Sequence, residues 1–87
     1  MTDPRPAYVY LLRCRDGSLY CGWTYDVEKR LAMHQAGSAS RYTRTRRPLR
    51  LAAAFELPDA TAARREEARI KRLTRAEKLH LAAARPI

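Results

Sequence analysis

Two short apolar segments that flank a turn signal constrain the fold of this chain more than any other feature. Residues 8–14 (Tyr-Val-Tyr-Leu-Leu-Arg-Cys) are mostly aromatic and aliphatic, the composition that β-strands favour. Residues 18–24 (Ser-Leu-Tyr-Cys-Gly-Trp-Thr) have the same character, and Arg15-Asp16-Gly17 between them is typical of a turn. The pattern predicts a β-hairpin.

The length of the hairpin loop decides which side chains share a face, because successive residues of a strand point to opposite faces. A two-residue loop at Asp16-Gly17 would place Tyr10 and Tyr20 on opposite faces. A three-residue loop, with Gly17 in the left-handed conformation, pairs Tyr10 with Gly22 and places both tyrosines on one face. We favour the longer loop because it separates apolar from polar positions better, and Gly22 then leaves room for a ligand above the sheet. The opposite, apolar face then carries Val9, Leu11, Leu19, Cys21 and Trp23.

The hydrophobic period changes from that of a strand to that of a helix after the hairpin. The spacing i, i+3, i+4, i+7, which indicates one face of a helix, is met by Val27, Arg30, Leu31 and His34. Thr24 or Asp26 can cap the start of this helix, and Gly37 can close its end.

The second half of the chain predicts one more strand and two more helices. A loop over residues 38–48 precedes a strand over 49–56, whose signal is weakened by Ala, a poor strand former. Asp59 can cap a helix that runs to about Leu73. The segment Thr74–Glu77 matches a capping box and starts the last helix.

These elements predict one small α+β domain over residues 1–87, with its core at about 8–81. Its order is β-β-α-β-α-α, with a three-stranded antiparallel sheet flanked by helices. A chain of 87 residues supports one thin core and no second domain.

The charge balance points to a polyanionic partner. The chain has 18 Lys and Arg against 9 Asp and Glu, a formal net charge of +9. Residues 41–50 contain five Arg and no acid, which suggests a surface that binds phosphates; the alternative is a solvated basic loop. No apolar run reaches the length of a membrane span, and residues 1–6 do not read as a secretory signal. Two cysteines without other ligand residues argue against a zinc knuckle or a disulfide scaffold, so we expect a protein of the reducing cytoplasm.

The order of the motifs resembles that of the GIY-YIG nuclease domain. Val9-Tyr10 stands for the Ile-Tyr of the first motif and Tyr20-Cys21-Gly22 for the Tyr-Ile-Gly of the second. Residues 24–34 resemble the helix that carries an Arg and a His in this family, and residues 63–71 resemble the segment with the metal-binding Glu. The segment around Arg41-Tyr42-Thr43-Arg44 is similar to that of the small standalone bacterial members.

The resemblance implies the roles of five catalytic residues. Arg30 would clamp the scissile phosphate, with His34 one turn further on the same helix face. Tyr20 would activate the attacking water, and Tyr10 would orient the water or the phosphate. Glu67 would hold one divalent ion, Mg²⁺ or Mn²⁺, since a single carboxylate with water and phosphate oxygens suits such an ion.

Ordinary structural roles are the alternative for each of these residues. The tyrosines can be simple strand aromatics, and His34 can be a partly buried helix residue. Glu67 can be a solvated acid paired with Lys71, and periodicity alone does not choose it over Glu66.

The family also implies a function and a partner. We expect a metal-dependent endonuclease that hydrolyses DNA in repair, recombination or processing; the alternative is a binding module of the same fold that cleaves poorly. Contacts to DNA, with RNA left open, are expected from Arg41, Arg44, Arg46, Arg47 and Lys71. Trp23 stands where the excision-repair nucleases of the family have a Lys, and the chain has no Asn for another family position. We expect a monomer, with any targeting partner outside this chain.

Overall fold

The computed structural model describes residues 5–84, in which three strands and three of the four helices follow one another in the order that the sequence predicts. The elements are β1 (Ala7–Arg13), β2 (Leu19–Thr24), α1 (Val27–Ala36), α2 (Arg41–Arg44), β3 (Arg50–Leu57), α3 (Ala60–Lys71) and α4 (Arg75–Ala84). The predicted α+β fold is confirmed. The single turn α2 is an addition, because the segment around it was expected to be a loop throughout. Residues 1–4 and 85–87 of the predicted domain lie outside the described residues.

The hairpin has the three-residue loop that the sequence favours. Tyr10 pairs with Gly22 and Leu12 with Tyr20, and Gly17 has a φ of 85°. The carboxylate of Asp16 accepts hydrogen bonds from the backbone N and the hydroxyl of Ser18, at 3.0 and 2.6 Å. These bonds close the turn locally and fix the register that places both tyrosines on one face.

The sheet has the order β2-β1-β3 and is antiparallel throughout. The central strand β1 is covered along both edges, whereas β2 is an edge strand. The alanine-rich β3 forms despite its poor propensity, because Ala53 and Phe55 are buried against the rest of the core.

Each face of the sheet has its own small apolar cluster. The predicted apolar face, with Val9, Leu11 and Cys21, packs against Ala63 and Ile70 of α3. The other face carries Tyr10, Leu12, Cys14 and Leu49, with Leu31 of α1 against them. Cys14 and Cys21 are free thiols, as expected. The helices therefore lie on both sides of the sheet, and a site at its edge can draw on both.

The helix boundaries follow the capping residues. The carboxylates of Asp26 and Asp59 accept from the backbone N–H groups of the third helical residues of α1 and α3. Gly37 ends α1 with a φ of 83°. Thr74 and Glu77 exchange the two bonds of a capping box at 3.1 and 2.9 Å. The caps are confirmed, and α3 ends two residues before the predicted Leu73.

None of the helices within residues 5–84 is both long enough and apolar enough to cross a membrane.

Candidate active site

An open cleft of about 690 Å³ lies along the edge strand β2 and gathers four of the five predicted catalytic residues. Tyr10 and Tyr20 reach it because the hairpin register places them on one face. Arg30 enters from α1, which lies over that face. Glu67 comes from α3 on the opposite side of the sheet, so its carboxylate reaches the cleft past the edge strand. The cleft is lined by Tyr10, Tyr20, Gly22, Arg30 and Glu67 among others.

Tyr10 fills the space that Gly22 leaves open. A Cβ atom at residue 22 would lie 2.5 Å from the Tyr10 Oη and 2.7 Å from its Cζ. The expectation of room for a ligand above Gly22 is therefore wrong, since the ring of the paired tyrosine occupies that room. Only 3% of the Tyr10 surface is exposed. The missing side chain lets the hydroxyl end of the phenol lie close to the backbone of β2 at the floor of the cleft.

His34 is buried behind Tyr10 rather than exposed in the cleft. Its Nε2 lies 2.9 Å from the Tyr10 Oη, and its Nδ1 lies 2.8 Å from the Oγ1 of Thr43. Only 1% of its surface is exposed. His34 and Arg30 share a helix face, as the spacing predicts, but only Arg30 lines the cleft. His34 can therefore act on the cleft through Tyr10.

Burial keeps both members of this pair neutral. Burial raises the pKa of Tyr10 well above its usual value, with Tyr20 adding to the effect and Arg30 opposing it. Burial also lowers the pKa of His34, and the positive charge of Arg30 acts in the same direction. At neutral pH the pair is therefore a phenol hydrogen-bonded to an uncharged imidazole.

Tyr20 belongs to an aromatic cluster at the same end of the cleft. Its ring centroid lies 5.2 Å from that of His34 and 6.5 Å from that of Tyr10. The ring of Tyr42 stacks on Tyr20 at 6.0 Å, although Tyr42 is itself 39% exposed. Unlike Tyr10, Tyr20 has no hydrogen bond to a basic group among residues 5–84.

The structure separates the two candidate glutamates. Glu67 lines the cleft, with 21% of its side chain exposed, and the Nζ of Lys71 lies 3.7 Å from its Oε2. Glu66 does not line the cleft and forms an ion pair with Arg69. Within residues 5–84 no cluster of three or more His, Cys, Asp or Glu side chains is present. A single, partly buried carboxylate in an open cleft fits Mg²⁺ or Mn²⁺, which retain several waters.

The basic segment divides into anchored and exposed arginines. Arg46 donates to the Asp16 carboxylate at 3.0 Å and lies 3.7 Å above the ring of Tyr42. Arg47 donates to the carbonyl oxygens of Arg44 and Gln35 at 2.9 and 3.1 Å.

The other predicted phosphate-binding residues are placed differently. The side chains of Arg41 and Arg44 are exposed and have no hydrogen-bond or ion-pair partner among residues 5–84. Lys71 lies apart from the segment, beside Glu67.

Thr43 is the site residue that sequence reasoning missed. It is 0% exposed and joins α2 to the imidazole of His34. In the sequence it stands between arginines and reads as part of a basic loop. Nothing in such a segment indicates a buried hydroxyl, because Thr43 is buried only by the packing of α2 against α1.

This geometry defines a class of protein. It is a small antiparallel sheet on which two tyrosines of one face meet an arginine and a glutamate from two helices in one cleft, as the resemblance to the GIY-YIG domain implies. A family model described as the GIY-YIG catalytic domain matches residues 6–80. The chain therefore belongs to the GIY-YIG family, a family of nucleases.

Many of its curated relatives are small bacterial proteins that carry the name UPF0213. The one from Xanthomonas axonopodis pv. citri is 44% identical over 82 residues, which span 94% of this chain and 80% of the relative. The one from Oceanobacillus iheyensis is 49% identical over 74 residues, spanning 85% and 86%.

Two solved structures share the fold. The solution NMR structure of a UPF0213 protein from Bacillus halodurans is 42% identical, with a TM-score of 0.59, and covers 91% of this chain and 84% of its own. The solution NMR structure of a protein from E. faecalis is 32% identical, with a TM-score of 0.63, covering 97% and 90%.

Proposed function

We propose that this protein is a divalent-metal-dependent endonuclease that hydrolyses phosphodiester bonds of DNA during repair, recombination or processing. The observation that carries the proposal is the convergence of Tyr10, Tyr20, Arg30 and Glu67 on one cleft, with His34 behind Tyr10. Phosphodiester hydrolysis needs a neutralised phosphate, an activated water and a stabilised leaving oxygen. The residues of the cleft provide a candidate for each need.

Arg30 is the candidate for holding the scissile phosphate. Its guanidinium is permanently charged and can donate two parallel hydrogen bonds to phosphate oxygens. It enters the cleft beside both tyrosines, so a phosphate bound there lies next to the proposed proton acceptor. Arg41 and Arg44 would contact the DNA backbone further along, since their side chains are exposed.

The hydrogen bond to His34 favours Tyr10 over Tyr20 as the acceptor of the water proton. A neutral phenol is a poor base by itself, but Tyr10 has an imidazole nitrogen 2.9 Å behind its hydroxyl. As the Tyr10 oxygen takes a proton from water, its own proton passes to His34. The water oxygen attacks phosphorus, and the bond to the leaving oxygen breaks. Tyr20 then orients the water or phosphate, which reverses the roles expected from the sequence.

Glu67 is the residue that would hold the metal ion. When bound, a divalent ion supplies Lewis-acid stabilisation of the negative charge that develops on the leaving oxygen. The Nζ of Lys71 lies 3.7 Å from an oxygen of the same carboxylate and can orient it.

The matched pair Glu67 and Glu66 gives a sharp test. We expect purified protein to cleave plasmid, branched or single-stranded DNA in Mg²⁺ or Mn²⁺, and Glu67→Gln to reduce the rate at least about 100-fold. Glu66→Gln removes an equal charge one residue away, outside the cleft, and should retain activity. In the same assay Tyr10→Phe should reduce the rate more than Tyr20→Phe.

Two results would contradict the proposal. Equal cleavage by the wild type and Glu67→Gln would mean that the activity belongs to a contaminant or to another site. DNA binding without cleavage in either metal would instead support a binding module of the same fold.

A further inference from the structure

A buried chain of polar groups leads from the cleft to the start of α2. Tyr10 Oη lies 2.9 Å from His34 Nε2, and His34 Nδ1 lies 2.8 Å from Thr43 Oγ1. Thr43 Oγ1 lies 3.0 Å from the hydroxyl and 3.4 Å from the carbonyl oxygen of Ser40. His34 and Thr43 are 1% and 0% exposed, so solvent offers them no alternative partners.

His34 has two ways to join this chain. A neutral imidazole carries one ring proton, so one nitrogen donates and the other accepts. With the proton on Nε2, His34 donates to Tyr10, and the hydroxyl proton of Tyr10 must point toward the cleft. With the proton on Nδ1, His34 donates to Thr43, and Nε2 accepts the proton of Tyr10.

Hydrogen-bond satisfaction distinguishes the two tautomers. In the Nδ1–H form, Tyr10 donates to Nε2, Nδ1 donates to Thr43, and Thr43 donates to the Ser40 carbonyl oxygen. Every donor of the chain then has an acceptor within the described structure. In the Nε2–H form the phenol proton has no acceptor among residues 5–84 and is left to a water of the cleft. Only the Nδ1–H form pairs every donor with a group of the protein, and buried donors are nearly always paired, so we favour that form.

We propose that Thr43 is a positioning residue that holds His34 in the Nδ1–H tautomer, so that Tyr10 presents an oxygen lone pair to the cleft. The hydrogen bond made by one ring nitrogen of a histidine commonly decides which of the two nitrogens carries the proton. Thr43 is suited to this task because α2, whose start Ser40 caps, holds its hydroxyl in place.

The role of this tautomer in the reaction rests on the proposed nuclease function, whereas the assignment of the tautomer does not depend on that function. A proton that moves from water to the Tyr10 oxygen displaces the phenol proton onto His34 Nε2. The imidazole then carries two ring protons and a positive charge, and Thr43 Oγ1 still accepts from Nδ1–H. The Nε2–H form blocks this path, because Nε2 cannot accept a proton that it already carries.

NMR of protein with ¹⁵N-labelled histidines tests the tautomer without any activity. The chain has two histidines, and the exposed His80 of α4 is an internal reference. We expect the long-range ¹H–¹⁵N spectrum of the wild type to show Nδ1 of His34 protonated and Nε2 unprotonated. Thr43→Val replaces the hydroxyl, and with it the acceptor for Nδ1–H, by a methyl group and should shift the population toward Nε2–H. Thr43→Ser should restore the wild-type pattern, and the signals of His80 should not change.

The cleavage assay adds a second readout. We expect Thr43→Val to lower the rate about tenfold, the lower end of what is lost when the hydrogen-bond partner of a metal-bound histidine is removed, and Thr43→Ser to recover most of it. Thr45→Val, a change at an exposed threonine two residues away, is the matched control.

Three outcomes overturn the proposal about Thr43. These are an Nε2–H tautomer in the wild type, an unchanged tautomer in folded Thr43→Val, and an Nε2–H ring in Thr43→Ser. If Thr43→Val does not fold, the wild type and Thr43→Ser still decide. A wild type that cleaves no DNA but shows the Nδ1–H tautomer contradicts the proposed function and leaves the positioning role of Thr43 intact.

Discussion

At the scale of single residues, the contact between Gly22 and Tyr10 does most to shape the cleft. The phenol lies where a side chain at residue 22 would otherwise be, and this places its hydroxyl beside His34. The glycine of the second motif is therefore required by a side chain of the first. Its φ lies outside the left-handed region, so the requirement is close approach rather than backbone freedom.

This contact predicts an unusual double-mutant cycle. Gly22→Ala in the wild type should lower the free energy of unfolding by about 1–3 kcal/mol, because the new methyl group overpacks against the Tyr10 ring. In a Tyr10→Ala background the ring is gone. The same change should then raise the free energy of unfolding by about 0.5–1 kcal/mol, because Ala loses less backbone freedom on folding than Gly does. Urea unfolding of the four proteins measures the coupling. An equal cost in both backgrounds would show that the ring is not what excludes a side chain at residue 22.

The sequence predicts which residues reach the cleft better than it predicts how they act. Hairpin register and helix spacing suffice to bring Tyr10, Tyr20 and Arg30 together, since both depend on local periodicity. The choice of Glu67 over Glu66 needs the direction in which α3 packs. Periodicity left that choice open, and only the resemblance to the family pointed to Glu67. The burial of His34 and its bond to Thr43 depend on contacts between distant elements, which no local pattern carries.

At the scale of elements, the segment between α1 and β3 does more than carry positive charge. Arg46 ties it to the hairpin turn through Asp16, and the backbone N of Arg15 donates to the carbonyl oxygen of Arg46 at 2.9 Å. The side chain of Gln35 exchanges two hydrogen bonds with the backbone of Leu49 at 2.6 and 3.1 Å. These ties hold α2 in place, and with it the hydroxyl of Thr43.

Arginines of this segment should therefore separate into two classes on substitution. Arg41→Gln with Arg44→Gln removes two exposed charges and should reduce the slope of log K against log salt by about two, with unchanged stability. Arg46→Ala should instead lower the free energy of unfolding by about 1 kcal/mol, the size of a cation–π contact. DNA-binding titrations at several salt concentrations, together with urea unfolding, check both expectations. A normal salt slope in the double variant would show that the segment does not contact phosphates.

Capped elements were predictable and the short helix α2 was not. Asp26, Asp59 and the Thr74–Glu77 box mark helix starts through interactions with their own backbone, so the sequence alone predicts them. The one turn of α2 also has a cap, Ser40, but it is too short to show a hydrophobic period. Its helical form is held by tertiary contacts, above all by the burial of Thr43.

At the scale of the whole molecule, the arginines differ in where their side chains lie. Arg30 lies in the cleft, Arg41 and Arg44 are exposed on α2, and Arg46 and Arg47 hold the backbone. The basic residues behind the net charge of +9 therefore include two, Arg46 and Arg47, whose side chains also bind groups of the protein itself.

The whole molecule should fold without a metal ion. Glu67 belongs to neither of the two apolar clusters that close the faces of the sheet, and Lys71 can balance its charge. Binding at a concentration equal to the dissociation constant adds only about 0.4 kcal/mol, or about 2–3 °C in the unfolding midpoint. We therefore expect EDTA to abolish cleavage while leaving the thermal transition, followed by circular dichroism, almost unchanged.

A variant without the metal-binding carboxylate is the control for this thermal measurement. Glu67→Gln should show the same midpoint in EDTA and in excess Mg²⁺, whereas the wild type should gain a small increment with Mg²⁺ alone. A large drop in the wild-type midpoint on addition of EDTA would contradict the argument, because it would make the ion part of the folded core. Folding independent of the metal would instead mean that the cleft is assembled beforehand, with Glu67 already directed at the phosphate that Arg30 is proposed to bind.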